Sequence, residues 1–271
     1  MNGASVLRFE NVCVKFGDAI ALDGVSFEMQ AGETRIVYGV AGSGKTTLLK
    51  VALGLVCPDS GRVFVFGEEV THLDENGWFK IRAKMGILFQ EGGLFDSMTI
   101  AENVAYPLVN RQTTQQRAAQ NGHVEERVRE ALRFVELEGT LDKFPSELSG
   151  GMRRRVGIAR AIVTEPPLLL YDSPTAGLDP ITANTIVHLI LKERDLRHAT
   201  SITVTHRFQD GHLLANFRYN PSNGRIELVG HDPGDHVTTK FFVMHEGRLV
   251  FEGTQSELSA SRDPYVHKFA R

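Results

Sequence analysis

The segment Gly39 to Thr46, GVAGSGKT, has the residue types and the spacing that bind phosphate. It matches G-x-x-x-x-G-K-[ST] and stands between a run typical of a buried strand and a run typical of a helix. Its glycines allow backbone amides to surround an anion at the start of that helix. Lys45 is expected to reach the β- and γ-phosphates of a nucleotide, and the Thr46 hydroxyl to ligate Mg²⁺. A chance glycine-rich turn is the alternative, at roughly one chain in a hundred of this length.

A second segment, LLLYDSPTAGLDP at 168–180, predicts a strand that ends at a carboxylate. The next residue, Ser173, cannot accept a proton from an attacking water near neutral pH. A further apolar run, SITVTH, predicts a strand that ends at His206.

The elements that must position these residues follow from hydrophobic patterning. VLRFENVCVKF and IALDGVSFEM alternate as an antiparallel pair of strands, whereas residues 94–163 lack strand signals and indicate helices. PPLLLYD and SITVTH flank a predicted helix from about Ile181 to Leu196, and such βαβ alternation favours a parallel sheet. Within HVEERVREALRFVEL, four apolar residues share one helix face: Val124, Val128, Leu132 and Val135.

Composition bounds the class of protein. The 271 residues are 42% hydrophobic and 23% charged, as in a folded chain, and the net charge of −3 gives no indication of a broad attraction to nucleic acid or acidic lipid. No apolar run approaches the roughly 18–20 residues that cross a bilayer, and no secretory signal is visible. Cys13 and Cys57 are expected to be buried thiols in a reducing compartment. A cytoplasmic location is expected, with any membrane contact made through a partner.

Several motifs, in the order found in the family, resemble those of the ABC transporter ATPases. ELSGGMRRR at 147–155 resembles the LSGGQ signature, with Met152 in place of glutamine, and LLLYD resembles the Walker B strand. GLD at 177–179 resembles the D-loop, Gln90 stands at the Q-loop position and His206 at the switch histidine. Phe16 lies where the family keeps an aromatic residue that stacks on adenine. The motifs run from about residue 6 to 207, and the tail VMHEGRLVFEGT at 243–254 also resembles the closing strands of the family.

This resemblance implies an α/β fold with a P-loop (RecA-like) ABC ATPase core, an N-terminal antiparallel β subdomain and an α-helical subdomain. The expected organisation is one domain, with the core at 1–90 and 164–271, the helical subdomain at 91–163 and a β-hairpin insertion at 208–240. ATP and Mg²⁺ are the implied ligands. The implied catalytic residues are Gln90, Asp172, Ser173 and His206, and Thr46, Gln90 and Asp172 are the implied metal ligands. The implied nucleotide-binding residues are Phe16, Gly39, Gly42, Ser43, Gly44, Lys45, Thr46, Thr47, Ser149, Gly150, Gly151 and Asp179.

The segment ILFQEGGLFDSMTIAENVAYPL at 87–108 resembles a subgroup, the Mla/Mce-type phospholipid transport ATPases. The resemblance implies a head-to-tail dimer with itself or a related ATPase, in which the signature helix completes the partner's site. It also implies an integral membrane permease, an Mce-domain protein and a place at the cytoplasmic face of the inner membrane. A nucleic-acid partner is not expected.

Ser173 stands where the family has a glutamate that activates water, and two interpretations follow. The chain is a working ATPase that orients water with Ser173 and His206 or recruits another base, or it is a nucleotide-dependent clamp with little turnover. The other motifs are intact, which favours the first. An ABC-type protein without a permease is a further alternative, and the segment at 87–108 argues against it.

Other stretches carry weaker expectations. NFRYNPSNGRIELVG at 216–230 predicts two strands about a turn, interpreted as a surface insertion; docking of a small regulatory subunit is the alternative. Arg153 to Arg155 are interpreted as a solvated helix face with one arginine in ion pairs. HDPGDH at 231–236 is interpreted as an exposed loop rather than a metal site, and RQTTQQRAAQNG at 111–122 as a mobile connector.

Overall fold

The fold is described from a computed structural model over residues 5–110, 121–229 and 238–270. The HDPGDH loop and most of the polar connector, at 111–120, lie outside these ranges. No helix within them is long and apolar enough to span a bilayer.

A six-stranded sheet forms the centre of the fold. Its order is β12–β11–β3–β8–β7–β6, and every neighbouring pair is parallel except β11 with the edge strand β12. The strands are β3 (Thr34–Tyr38), β6 (Met85–Leu88), β7 (Leu168–Asp172), β8 (Thr200–Val204), β11 (Thr239–His245) and β12 (Arg248–Gly253).

A second sheet is antiparallel throughout, in the order β2–β1–β4–β5. The alternating N-terminal segments form its long strands, as predicted. The strands are β1 (Ser5–Phe16), β2 (Ala19–Gln30), β4 (Ser60–Val65) and β5 (Glu68–Glu69).

Helices cover the sheets and fill the segment between β6 and β7. Two short 3₁₀ turns, at Glu138–Thr140 and Pro145–Glu147, lead into α5. The α-helices of the described ranges are α1 (Lys45–Ala52), α2 (Glu75–Arg82), α3 (Ile100–Val109), α4 (Asn121–Phe134), α5 (Gly150–Ile162), α6 (Pro180–Arg197), α7 (Phe208–Asn216), α8 (Gln255–Ala260) and α9 (Pro264–His267).

The central sheet separates two hydrophobic cores because successive side chains of a strand face opposite sides. In β7, Leu169 and Tyr171 join the core beneath α3 to α6, whereas Leu168 and Leu170 join the core shared with the antiparallel sheet. Burial on both faces explains why this strand is a continuous apolar run. The predicted helix face is confirmed, with its last three residues buried and the first packed against the same core. The predicted fold class, an α/β core with an antiparallel β subdomain and a helical subdomain, is confirmed.

The cysteine prediction is wrong for Cys57, which is exposed, and Cys13 is only partly buried. Cys57 lies in the turn that precedes β4, where the chain runs over the surface. Its Sγ contacts the carbonyl of Thr71 at 3.6 Å.

The NPSNG turn joins β9 (Phe217–Asn220) to β10 (Arg225–Leu228), which pair only with each other in the described residues. The first part of the predicted insertion, 208–216, is the helix α7 instead. The hairpin is attached to the end of α6, where Asp195 accepts a hydrogen bond from the backbone of Tyr219 at 2.6 Å. Arg194 donates to the carbonyl of Phe217 at 2.8 Å and also to that of Leu214.

A carboxyl group is enclosed in α6. Glu193 is 1% exposed, and its closest ionic partner is Arg197, at 3.5 Å between Oε2 and Nε. Burial raises the pKa of the Glu193 carboxyl from 4.5 to about 7, and Glu165 adds to this effect while Arg197 and Lys192 oppose it. Folding therefore favours the protonated form.

This shift predicts a pH-dependent stability. Because the folded pKa lies above the unfolded value, the stabilisation is complete below about pH 4.5 and is lost as the pH rises through about 7. Relative to Glu193→Gln, the native free energy of unfolding should fall by roughly 1–3 kcal/mol between about pH 5 and pH 8. Urea denaturation at several pH values measures it. Glu125→Gln, at an exposed carboxylate on α4, is the control and should keep the native slope.

Candidate nucleotide-binding site

Four loops meet at one edge of the central sheet because β3, β8, β7 and β6 run in parallel and end there. Val204, the last residue of β8, pairs with Val37 on one side and with Asp172 on the other. The loops that follow these strands carry the segment 39–46, Gln90, Ser173 and His206. The site residues predicted for the nucleotide-binding core therefore lie at the same edge of the sheet.

The segment 39–46 turns tightly between β3 and α1, and the turn requires glycine at particular positions. Gly44 has φ of 101°, in the region that favours glycine, and a Cβ there would overlap the carbonyl oxygen of Ala21 in β2. A Cβ at Gly39 would overlap the Ser43 hydroxyl and the carbonyl oxygen of Met244. The loop is thus packed between β2 and β11 with its amides at the start of α1.

Lys45 lies inside the curve of this loop. Its Nζ donates to the carbonyls of Gly39 at 2.9 Å and Val40 at 2.7 Å, and to the Ser43 hydroxyl at 3.3 Å. Burial lowers the pKa of Lys45, and the charge of Asp172 opposes this shift. Lys45 and Asp172 belong to loops at the same edge of the sheet, where β3 and β7 both pair with the end of β8.

Asp172 ends β7 and is 8% exposed. The hydroxyl of Ser173 donates to its Oδ1 at 3.2 Å, and Ser173 itself adopts φ of 49°. Hence the residue after Asp172 supplies a hydroxyl that is directed back at the Asp172 carboxylate, and it offers no second carboxylate.

Asp210 was not predicted, yet it joins two of the loops. This buried carboxylate of α7 accepts hydrogen bonds from Thr175, in the loop after β7, and from Thr205, in the loop after β8, at 2.5 and 2.7 Å. The loops of Asp172 and His206 are thereby connected. An aspartate inside a helix gave no sequence signal, because its role depends on where α7 packs.

The interpretation of Arg153 to Arg155 as a solvated face is wrong for Arg154, which is 5% exposed. Its guanidinium donates to the carbonyls of Ser173 and Ala176, each at 3.0 Å. Helical spacing alone did not reveal this, because three consecutive residues point in three different directions and the spacing does not say which of them faces the core.

Two further predicted residues begin helices. Ser149 caps α5 and accepts a hydrogen bond from the Met152 amide at 3.3 Å, which leaves the first amides of Gly150 and Gly151 at a positive helix end. Asp179 caps α6 and accepts from the amides of Ile181 and Thr182, each at 3.0 Å. Hydrogen bonds from Thr182 are the main reason that the pKa of Asp179 is lowered.

Phe16 is 55% exposed at the end of β1, where it pairs with Ala19 across the turn into β2. The same strand β2 touches Gly44 two residues further on, at Ala21. A planar ring at this turn is therefore available to a ligand that extends out of the 39–46 loop.

Oxygen donors of the type that Mg²⁺ prefers belong to this edge: the Thr46 hydroxyl, the Asp172 carboxylate and the Gln90 amide. Thr46 and Gln90 are exposed and Asp172 is nearly enclosed, so an ion held by them would keep several waters. Bound there, the metal would neutralise charge on the β- and γ-phosphate oxygens. These residues fit the ion.

The fold and the loops that meet at this edge of the central sheet define a P-loop nucleotide-binding domain. The family model of the ABC transporter matches residues 22–176, more than half of the chain. The chain belongs to the ABC transporter family as an ATP-binding subunit, which confirms the resemblance in its motifs.

Two relatives and one solved structure illustrate the similarity. The chain is 30% identical to the intermembrane phospholipid transport system ATP-binding protein MlaF of Haemophilus influenzae, over 98% of this chain and 90% of that protein. It is 38% identical to the methionine import ATP-binding protein MetN 2 of Rhodococcus jostii, over 83% of this chain and 66% of that protein. The dimeric structure of the bacterial ABC transporter cassette MJ0796 is similar with a TM-score of 0.75 at 29% identity, over 92% and 98% of the two chains.

The contact at Gly44 yields a direct test. Gly44→Ala places a Cβ against the Ala21 carbonyl, so the loop must open and ATP affinity should fall at least about tenfold. Titration calorimetry with ATP and Mg²⁺ measures it.

Gly67→Ala is the matched control, because Gly67 has φ of 80° with nothing within 4 Å of its added Cβ, and it lies in the turn between β4 and β5. It imposes similar backbone strain away from the loop, and its ATP affinity should stay native. Equal losses in both variants would contradict the packing argument.

Proposed function

We propose that this chain binds and hydrolyses ATP to drive phospholipid, or another hydrophobic molecule, across the cell envelope through a membrane permease. The observation that carries hydrolysis is the convergence of the P-loop, Asp172 and His206 at one edge of the central sheet. Phosphoryl transfer depends mainly on positioning and on neutralising charge, which these groups supply.

Ser173 sets the expected rate. A serine hydroxyl does not take a proton from water near neutral pH, and loss of a positioned base costs roughly 10²–10⁴ in rate. That factor is about 3–5.5 kcal/mol of barrier. The proposed reaction is therefore slow, with water oriented by Ser173, His206 and Gln90.

A second candidate function is a nucleotide-gated clamp with little hydrolysis. One observation favours it: the Ser173 hydroxyl donates to Asp172 and so is engaged with the carboxylate that prepares the metal site. In a clamp, ATP binding alone would close the assembly, and nucleotide release would reopen it.

A dimer is part of the proposal. MJ0796 is described as dimeric, including a post-hydrolysis state bound to ADP and Pi. The N-terminus of α5, with Ser149 as its cap, presents free amides and a positive helix end that suit the γ-phosphate in a partner subunit. The partner is a second copy or a related ATPase.

The proposed permease contact is an apolar groove between α2, β6 and α3. Four exposed aromatic residues line it, Phe79, Phe89, Phe95 and Tyr106, and the groove has a volume of about 460 Å³. The rings of Phe95 and Tyr106 lie 4.7 Å apart, and Arg160 lies over Phe95. Exposed aromatic clusters of this kind mark protein interfaces, and a helix at the cytoplasmic face of the permease is the proposed occupant.

The lipid cargo is supported by the extent of the alignments. MlaF aligns over nearly all of both chains, whereas MetN 2 is more identical but is matched over 66% of its length. The 87–108 segment belongs to the groove and the loop beside it, so its likeness to lipid transport ATPases bears on the permease. We infer a place at the cytoplasmic face of the inner membrane, with an Mce-domain protein beyond the permease and a small regulatory subunit as a further partner.

Phosphate release separates the two functions. The chain, co-purified with its membrane partner, should release phosphate faster than its Lys45→Ala variant, and Ser173→Glu should accelerate release by about 10²–10⁴-fold by adding a base.

Ser173→Gln has the same shape as the glutamate variant without its carboxylate, and it should not accelerate. Native turnover equal to that of Lys45→Ala, with fast Ser173→Glu, would establish the clamp and overturn the ATPase.

The groove is tested by Phe89→Asp. A charge in the aromatic groove should lower co-purification of the membrane partner at least about tenfold while ATP affinity stays native, because hot-spot aromatics dominate such contacts. Quantitative mass spectrometry of the purified complex measures it. Val250→Asp, at an exposed apolar residue of the edge strand β12, is the control and should retain the partner.

A further inference from the structure

Three neighbouring arginines on α5 have three different partners. Arg153 donates to the Leu148 carbonyl at 2.8 Å, within the start of its own helix, and Arg155 donates to the Val135 carbonyl at 3.1 Å, beyond α4. Both are partly exposed, whereas Arg154 is 5% exposed. A cation is kept inside a protein at considerable cost, so its contacts call for an explanation.

Arg154 forms two hydrogen bonds with the turn that follows β7. Its Nη1 donates to the Ser173 carbonyl and its Nη2 to the Ala176 carbonyl, each at 3.0 Å. The planar guanidinium presents these donors in a fixed fork, which sets the separation of the two carbonyls in a way that a flexible ammonium cannot. The two bonds join the signature helix to the main chain that carries Ser173.

This turn needs external support. Ser173 has φ of 49°, a conformation that residues other than glycine adopt only where their surroundings impose it. On one side the Ser173 amide donates to the Val204 carbonyl at 2.9 Å, and Thr175 is tied to Asp210. Arg154 supports the other side of the turn through its two hydrogen bonds.

The charges around Arg154 are consistent with a fixed cation. Glu91, which follows Gln90, and Asp172 both stabilise its charged form, while burial is the larger effect and lowers its pKa. Arg154 and Glu91 line the same surface pocket, and the guanidinium reaches the turn after β7 from its position on α5.

We propose that Arg154 is a positioning residue: it holds the turn 173–176 so that the Ser173 hydroxyl and the Asp172 carboxylate keep their alignment at the nucleotide edge. Its effect on turnover rests on the proposed ATPase function, but its effect on the turn does not. Because no glutamate follows Asp172, turnover depends to an unusual degree on the geometry of this turn. The contacts by which Arg154 fixes that geometry therefore limit the rate.

Amide hydrogen exchange tests the turn directly, whether or not the chain hydrolyses ATP. The Ala176 amide donates to the Ser173 carbonyl at 3.1 Å, and the Leu178 amide to the Thr175 carbonyl at 3.2 Å. In Arg154→Met, exchange in the peptide covering 173–178 should be at least about tenfold faster than in the native chain, because the turn opens more often. Arg155→Met is the matched control on the same helix, and it should leave this peptide unchanged.

Turnover gives the second readout. Arg154→Met should lower kcat by about 10- to 100-fold, with the KM for ATP within about threefold, because a small misplacement at the reacting centre costs that much. Arg154→Lys keeps the charge and the stem but reaches only one carbonyl, so its kcat and its exchange should lie between native and Arg154→Met. It also serves if the methionine variant fails to fold.

The outcomes separate the two proposals. Equal exchange at 173–178 in Arg154→Met and Arg155→Met overturns the positioning role. An increase in the KM of Arg154→Met for ATP with an unchanged kcat also overturns the positioning role, since that pattern indicates weakened nucleotide binding. If amide exchange in Arg154→Met is fast but the native chain turns over ATP no faster than Lys45→Ala, the positioning role of Arg154 is supported. The proposed hydrolysis is then rejected instead.

Discussion

The position of β8 between β3 and β7 is the constraint on which the site depends. Neighbouring strands lie about 4.8 Å apart, so the P-loop after β3 and Asp172 at the end of β7 are separated by roughly 10 Å at the sheet edge. Their shared partner is Val204, which pairs with both strands. A slip of one residue in the pairing of β8 with either neighbour would move the two loops relative to each other and would turn side chains to the wrong core. Two hydrophobic cores, one on each face of the sheet, keep that register.

At this edge of the sheet, several contacts hold the turn that follows Asp172. The turn is held through the backbone of Ser173, through Thr175 and through the carbonyls that face α5. Such an arrangement suits phosphoryl transfer, where the enzyme mainly positions its reactants and stabilises charge. It equally suits a subunit that senses the nucleotide through shape. Both functions would depend on the geometry of the turn rather than on the serine hydroxyl.

Local patterns predicted the turn of the P-loop, the strand that ends in Asp172 and the helix from about Ile181, because each is encoded within a few consecutive residues. The antiparallel strands and the face of α4 followed from periodicity for the same reason. Arg154 and Asp210 were out of reach, since burial turns them from surface charges into links between loops, and burial is decided by how α5 and α7 pack. The elevated pKa of Glu193 has the same origin.

The hairpin β9–β10 has a practical consequence. Within the described residues β9 and β10 pair only with each other, and an isolated hairpin is barely stable in water, so the attachment to the end of α6 through Asp195 and Arg194 orders it. The attachment is at the Arg197 end of α6, and the 18 residues of this helix span about 27 Å from its Asp179 end. A fluorophore placed in the NPSNG turn is held by the rigid helix yet stands away from the nucleotide edge. Paired with a second label on the permease, it would report the tilt of α6 as a change in energy transfer.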